Sequence, residues 1–291
     1  MSVRDKGAVG IRVGGRTICV HERGEGLPLL QIHGLGLGKS NFAAISPLLS
    51  EHFRVVDYDM SGFGQSDPAA PDVDYSAWAD EAAALLDALE IGRAVVHATS
   101  GGGPVGIDLA ARRPDRVEAL IVSASMGRYD RQALIDSEIK RQTAEQSGMR
   151  AVATLTALQA FTREFFDSEA FPAAYARMLA AFGSLDAADW CRYQRMREVW
   201  DAGPGLSRIS CPTMFVTGAL DVMTPLVSGP TGLGMKQMHD LVPGSELIEL
   251  EDVGHLILVE GARRTTQEIV SFMNRIGLLP RQAHAAQQTE G

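Results

Sequence analysis

Apolar positions along this chain follow two alternating rhythms. Short, nearly continuous apolar runs predict buried strands at 28–32 (PLLQI), 54–58 (RVVDY), 117–124 and 246–251, at the start of 94–104 (AVVHATSGGGP), and over 213–221 (TMFVTGALD), where the strand ends in a turn. Between several of them lie stretches with helical spacing. Residues 76–89 place Trp78, Leu85, Leu86 and Leu89 on one face, and 104–113 offer Val105, Ile107, Leu109 and Ala110. Pro114 ends the second helix, because proline disfavours helical geometry in the residue before it. A terminal helix is predicted over 261–276, with Ile269, Val270, Phe272, Met273 and Ile276 as its apolar face. Residues 9–22 instead alternate apolar and polar around Gly14-Gly15, which predicts an antiparallel hairpin.

Strands alternating with helices imply a parallel sheet covered on both faces, so the expected class is doubly wound α/β, mostly parallel, led by an antiparallel hairpin. The alternation breaks over 128–208. That stretch predicts only helices, near 131–146, 149–166, 169–182 and 186–201, and it holds ten of the chain's eighteen Phe, Tyr and Trp residues. It reads as an all-helical cap inserted into a core formed by 1–127 and 209–280, with 281–291 a polar, flexible tail. Most of the cap aromatics are expected to glue it together, and a minority to line a pocket.

The bulk numbers narrow the function classes. With 45% hydrophobic and 22% charged residues, the 291-residue chain can bury a sizeable core. Its formal net charge of −9 argues against nucleic acid or an anionic membrane as partner. Cys19, Cys191 and Cys211 are far apart and lack metal or disulfide spacing, so they read as small buried side chains in a reducing compartment. The N-terminus has no apolar signal core and no run could span a bilayer, which makes the cytoplasm the expected location. A homo-oligomer is left open.

The candidate chemistry sits where predicted strands end. In AVVHATSGGGP (94–104) an apolar strand runs into a cluster of small residues and then a helix, with Ser100 at the apex. A serine hydroxyl needs a base to take its proton, an acid to orient that base, and donors for the developing oxyanion. Asp221 follows one later strand and His255 the last. Asp252 competes for the acid's role but lies on the histidine's own loop. His33, His97 and His239 compete for the base's role; His33 reads as a buttress, His97 as packed within the sheet, and His239 as solvated. Asp59 is expected to bond backbone in its own glycine turn.

HGLG at 33–36, DMSGFGQSD at 59–67, ATSGG at 98–102, GALD at 218–221 and VGH at 253–255 resemble, in order and placement, the α/β-hydrolase fold with a helical cap, over about 10–277. The Ser, Asp, His order is the one associated with that fold. The resemblance implies a G-x-S-x-G turn. Centring it on Ser100 needs only alanine for the first glycine (Ala98), whereas centring it on Thr99 would put His97 there, so Ser100 is preferred. It further implies the backbone N–H groups of Gly101 and Leu35 as oxyanion donors, and His33, Gly34, Thr99, Met126 and Trp190 as residues against the substrate. Relatives with aspartate at the apex are dehalogenases and epoxide hydrolases. Serine instead implies acyl chemistry on a small ester or lactone through an acyl-enzyme, with no cofactor or metal. Carbon–carbon bond cleavage of a diketone-type substrate, a lyase or acyltransferase on the same residues, and a non-catalytic ligand binder are the alternatives. Arg128, Arg163, Arg192 and Arg195 could hold a substrate carboxylate or be solvated helix charges. The glycine-rich 228–236 could be a pocket rim or a surface insertion.

Overall fold

The computed structural model describes residues 5–280. The tail expected at 281–291 lies outside the described residues. An eight-stranded sheet runs through the molecule in the order β1-β2-β4-β3-β5-β6-β7-β8. Its strands are β1 (Asp5–Val13), β2 (Arg16–Arg23), β3 (Pro28–Ile32), β4 (Arg54–Tyr58), β5 (Ala94–Thr99), β6 (Val117–Ser123), β7 (Thr213–Gly218) and β8 (Glu246–Leu250). β1 and β2 form the antiparallel hairpin, β2 joins β4 antiparallel, and every later pairing is parallel. The molecule therefore has the expected doubly wound architecture.

Period-two alternation sends successive side chains to opposite faces. Val96, Ala98, Leu120, Val122 and Phe215 point to one layer, where α1 (Tyr75–Ala88) and α2 (Gly103–Arg112) cover them with Trp78, Leu85, Val105 and Leu109. Val95, Ile121, Met214 and Val216 point to the other, beneath Phe42, Ile45, Leu49 and the terminal helix. Each such side chain, removed from water, contributes about 1.5–3 kcal/mol before conformational entropy is counted. The inner parallel strands are buried on both faces, which is why their sequences are nearly continuous apolar runs, whereas edge strand β8 is only partly buried.

Between β6 and β7 the chain forms α3 (Arg131–Ser147), α4 (Met149–Ala160), α5 (Phe171–Gly183) and α6 (Ala187–Arg195), with short turns at Arg163–Phe166 and Met196–Glu198. The helix expected over 149–166 is interrupted: Phe161 is extended (φ −97°, ψ 147°), and the Thr162 side chain accepts from the Phe165 N–H and caps a new turn. Between β7 and β8 lies α7 (Met235–Leu241), which begins at the end of the glycine-rich 228–236, and α8 (Ala262–Arg275) closes the fold. This insert has its own apolar cluster, including Val152, Phe161, Met178, Phe182 and Trp190, joined by Leu256 from the core. Phe161 stacks on Phe165 at 4.8 Å, and Phe171 lies 4.5 Å from Phe166, so most of the insert's aromatics pack on one another. Among the described residues no helix is long and apolar enough to cross a membrane.

Candidate active site

β5 ends at Thr99 in extended geometry, and Ser100 turns sharply with φ 51° before the 3-10 turn Ser100–Gly102 feeds α2. A non-glycine residue in this left-handed region is strained by about 1–3 kcal/mol and persists only where its surroundings fix it. Here they do. The Ser125 hydroxyl donates to the Ser100 carbonyl at 2.7 Å, and glycine is required at 103, where a Cβ would lie 2.0 Å from Ser125 Oγ. The irregular Ala98 is accommodated one layer down: α2 crosses so closely that a Cβ at Gly106 would stand 2.5 Å from the Ala98 methyl.

The loops after β7 and β8 are bound to each other. Ala219 N–H donates to the Leu250 carbonyl and Leu220 N–H to the Val253 carbonyl, both at 2.9 Å. A Cβ at Gly218 would lie 2.2 Å from the Val253 carbonyl, so this approach needs glycine. The pairing brings His255 Nδ1 to 2.9 Å from Asp221 Oδ2, and His255 Nε2 to 2.9 Å from Ser100 Oγ. A carboxylate only accepts, so Nδ1 carries the proton and Nε2 is left to accept from the serine. Asp221 is held firmly. Its Oδ1 accepts from the N–H groups of Met223 (2.8 Å) and Thr224 (2.9 Å), and its Oδ2 also accepts from Thr224 Oγ1 at 2.6 Å. Burial alone would raise the Asp221 pKa. The His255 charge and the hydrogen bonds from His255 and Thr224 outweigh it, and the carboxyl stays below its usual range. Asp252, the competitor, is exposed, with φ 59°.

The β3 exit loop runs alongside. A Cβ at Gly101 would lie 3.1 Å from the Leu35 nitrogen, so the Gly101 and Leu35 backbones are neighbours. The Gly101 N–H is at the start of a helical turn, where amides have no intrahelical acceptor. Among the described residues the Leu35 N–H also has no backbone acceptor. These two N–H groups flank the Ser100 apex.

A family profile described as the alpha/beta hydrolase fold matches residues 28–262. The chain belongs to this family. Over 124 residues, 41% of this chain and 42% of the relative, it is 40% identical to 2-hydroxymuconate semialdehyde hydrolase of Pseudomonas sp. strain CF600. That match spans less than half the relative's length. Among solved structures, a thermophilic esterase from Thermogutta terrifontis superposes with a TM-score of 0.81 at 25% identity, covering 92% of this chain and 98% of the esterase. The enol-lactonase from Burkholderia xenovorans LB400 also gives 0.81, at 24% identity over 91% of this chain and all of that one (100%); this likeness is one of fold.

In this α/β-hydrolase chain Ser100 and His255 open into a cavity of about 580 Å³, counting its mouth. Gly34, Thr99 and Trp190 line it, as does Leu35. His33 and Met126 do not, which corrects their placement against the substrate. Both are fully buried. The His33 ring is spent on backbone: Nδ1–H donates to the Gly34 carbonyl at 2.8 Å and Nε2 accepts from the Met60 N–H at 2.9 Å, which fixes the loop carrying Leu35. His97 is also removed from the site. Burial holds its pKa down at about 3, and it sits between Gln31 and Ser123. Asp59 reaches further than its own turn: besides the Gln65 N–H it accepts from the Lys39 N–H and pairs with the Lys39 ammonium at 2.6 Å.

The insert supplies the opposite wall through Lys140, Met178, Phe182, Gln194 and Arg197, and Asn41 lies near Gly34. Sequence reasoning missed these polar groups. The arginines it singled out lie elsewhere: Arg128 pairs with Asp201 at 2.8 Å, Arg192 with Asp189 at 2.9 Å, and Arg163 and Arg195 are exposed. The available signal was helical phase: Trp190, Gln194 and Arg197 recur at spacings that share a helix face.

Proposed function

We propose that this α/β-hydrolase is a serine hydrolase of small acyl compounds. The observation that carries this reading is the unbroken hydrogen-bonded chain Ser100–His255–Asp221 facing a cavity. His255 Nε2 takes the serine proton as Ser100 Oγ attacks the substrate carbonyl. Asp221 holds the Nδ1–H tautomer and stabilises the imidazolium that forms. The oxyanion develops between the Gly101 and Leu35 N–H groups, where each donor is worth about 10²–10³ in rate. His255 then protonates the leaving group, and afterwards activates the water that hydrolyses the acyl-enzyme.

An ester or lactone is the favoured substrate type, supported by the esterase likeness. A second reading, hydrolysis of a carbon–carbon bond next to a ketone, is favoured by the 40% identity to 2-hydroxymuconate semialdehyde hydrolase. The two differ in what departs from the same tetrahedral centre. The test is steady-state hydrolysis of 4-nitrophenyl butyrate by wild type and Ser100→Ala. Turnover in the wild type that falls by about 10⁴-fold or more in the variant is expected for a serine nucleophile. Equal rates in the two proteins contradict it. Slow ester turnover beside faster cleavage of a ring-opened dienoate ketone selects the second reading.

A further inference from the structure

The cavity wall opposite Ser100 carries charge of one sign. Lys140 and Arg197 line it, and among the described residues no aspartate or glutamate does, in a chain whose formal net charge is −9. The Lys140 side chain is only 3% exposed and uses one ammonium proton on Asp136 Oδ2 at 2.7 Å. The other Asp136 oxygen is taken by Gln159 at 2.9 Å. Burial pulls the Lys140 pKa down; Asp136 opposes this, and Arg197 adds to it.

Arg197 has no carboxylate within ion-pair distance among the described residues. The adjacent acid, Glu198, is turned to Arg141 instead, at 2.6 Å. The Arg197 guanidinium rests on the Tyr129 ring at 5.0 Å, and its Nε is sealed from solvent without an acceptor. Gln194, buried beside it, accepts from Ser137 through Oε1 at 3.4 Å, while its Nε2 has no acceptor among the described residues. A helix salt bridge and a cation stacked on a ring would explain these side chains if their heads faced water. They line the cavity, where two like charges side by side repel.

We infer that this wall is a subsite for an ionised carboxylate, so that the substrate is an acyl compound bearing a carboxylate of its own, gripped by Lys140, Gln194 and Arg197 while its carbonyl lies at Ser100. The inference rests on the serine-hydrolase reading for the position of the carbonyl, but not for the anion's binding. A carboxylate supplies the acceptors these donors lack, and charge-assisted bonds of this kind are the strong ones. Met178, Phe182 and Trp190 would hold the apolar stem between the two ends.

The test compares kcat/KM for 4-nitrophenyl monoesters of succinic, glutaric and adipic acid with the uncharged butyrate and valerate esters. The expected wild-type ratio favours one of the monoanions by about tenfold or more, and Arg197→Gln lowers that ratio by at least about tenfold. Lys140→Met combined with Asp136→Asn, which strands no carboxylate, lowers it in the same direction. Arg195→Gln, which removes an exposed cation two residues away at the end of α6, leaves it in place. A ratio near one, or one unmoved by both Arg197→Gln and the double variant in folded protein, overturns the subsite while ester turnover keeps the serine reading. If no ester is turned over, the serine reading fails and calorimetry with glutarate decides the subsite: binding to wild type that Arg197→Gln weakens supports it, and absence of binding overturns it.

Discussion

At the scale of single residues, burial decides which titratable groups work and which are locked. His97 within β5 and His255 on the loop after β8 are the same side chain, yet one is enclosed by Gln31, Ser123 and Phe42 and stays neutral, while the other opens on a cavity. Asp57 is the outstanding locked acid. Burial raises its pKa to about 7, against the opposing hydrogen bond from Ser46 and the charge of Arg23. In the unfolded chain the same carboxyl titrates near ~3.9. Between those values the folded state holds a proton that the unfolded state has lost, so this group makes stability fall as pH rises from about 4 to about 7. Asp57→Asn removes the titration. Urea unfolding at pH 4.5 and pH 7.5 is expected to show the variant gaining on the wild type at the higher pH; a difference independent of pH contradicts the assignment.

At the scale of elements, the strands and the insert's helices were legible, but which face each of those helices turns inward was not. β3 and β4 fall where their apolar runs predict, because strands buried on both faces must be apolar almost throughout. Ser100, Asp221 and His255 could be singled out because each lies past the end of a predicted strand: Ser100 directly after β5, and Asp221 and His255 on the loops after β7 and β8. The insert's inward faces blurred because surface helices carry mixed faces: α3 buries Lys140 and Arg141 while exposing Ile135 and Ile139. No periodicity rule ranks a lysine as inward. The seam between insert and core was also illegible, since part of it runs through one carboxylate far away in sequence. Glu260 accepts from the Thr162 N–H at 3.0 Å, the Thr162 hydroxyl at 2.9 Å and the Gly254 N–H at 3.3 Å, beside His255. Glu260→Ala leaves buried donors without partners, at a cost of about 1–3 kcal/mol. Hydrogen exchange is expected to quicken at 160–166 and 253–256 while β5 and β6 stay protected. Uniform loss of protection across the sheet would mean that Glu260 supports the fold generally and not that seam.

For the whole molecule, the sheet brings three residues distant in sequence to one rim, and the insert walls the cavity above them with a cationic face. In the proposed function, the core supplies the nucleophile's surroundings and the insert selects what is admitted. The family match over residues 28–262 takes in both parts, and a shared fold does not fix the substrate. The claim on which this account rests is that Ser100, and not Thr99, is the nucleophile at the apex. Peptide mapping by mass spectrometry after treatment with a fluorophosphonate tests it directly. The account predicts a single stoichiometric adduct on Ser100, absent in folded Ser100→Ala and strongly slowed in His255→Ala. An adduct on Thr99, or no adduct on correctly folded wild-type protein, would contradict it.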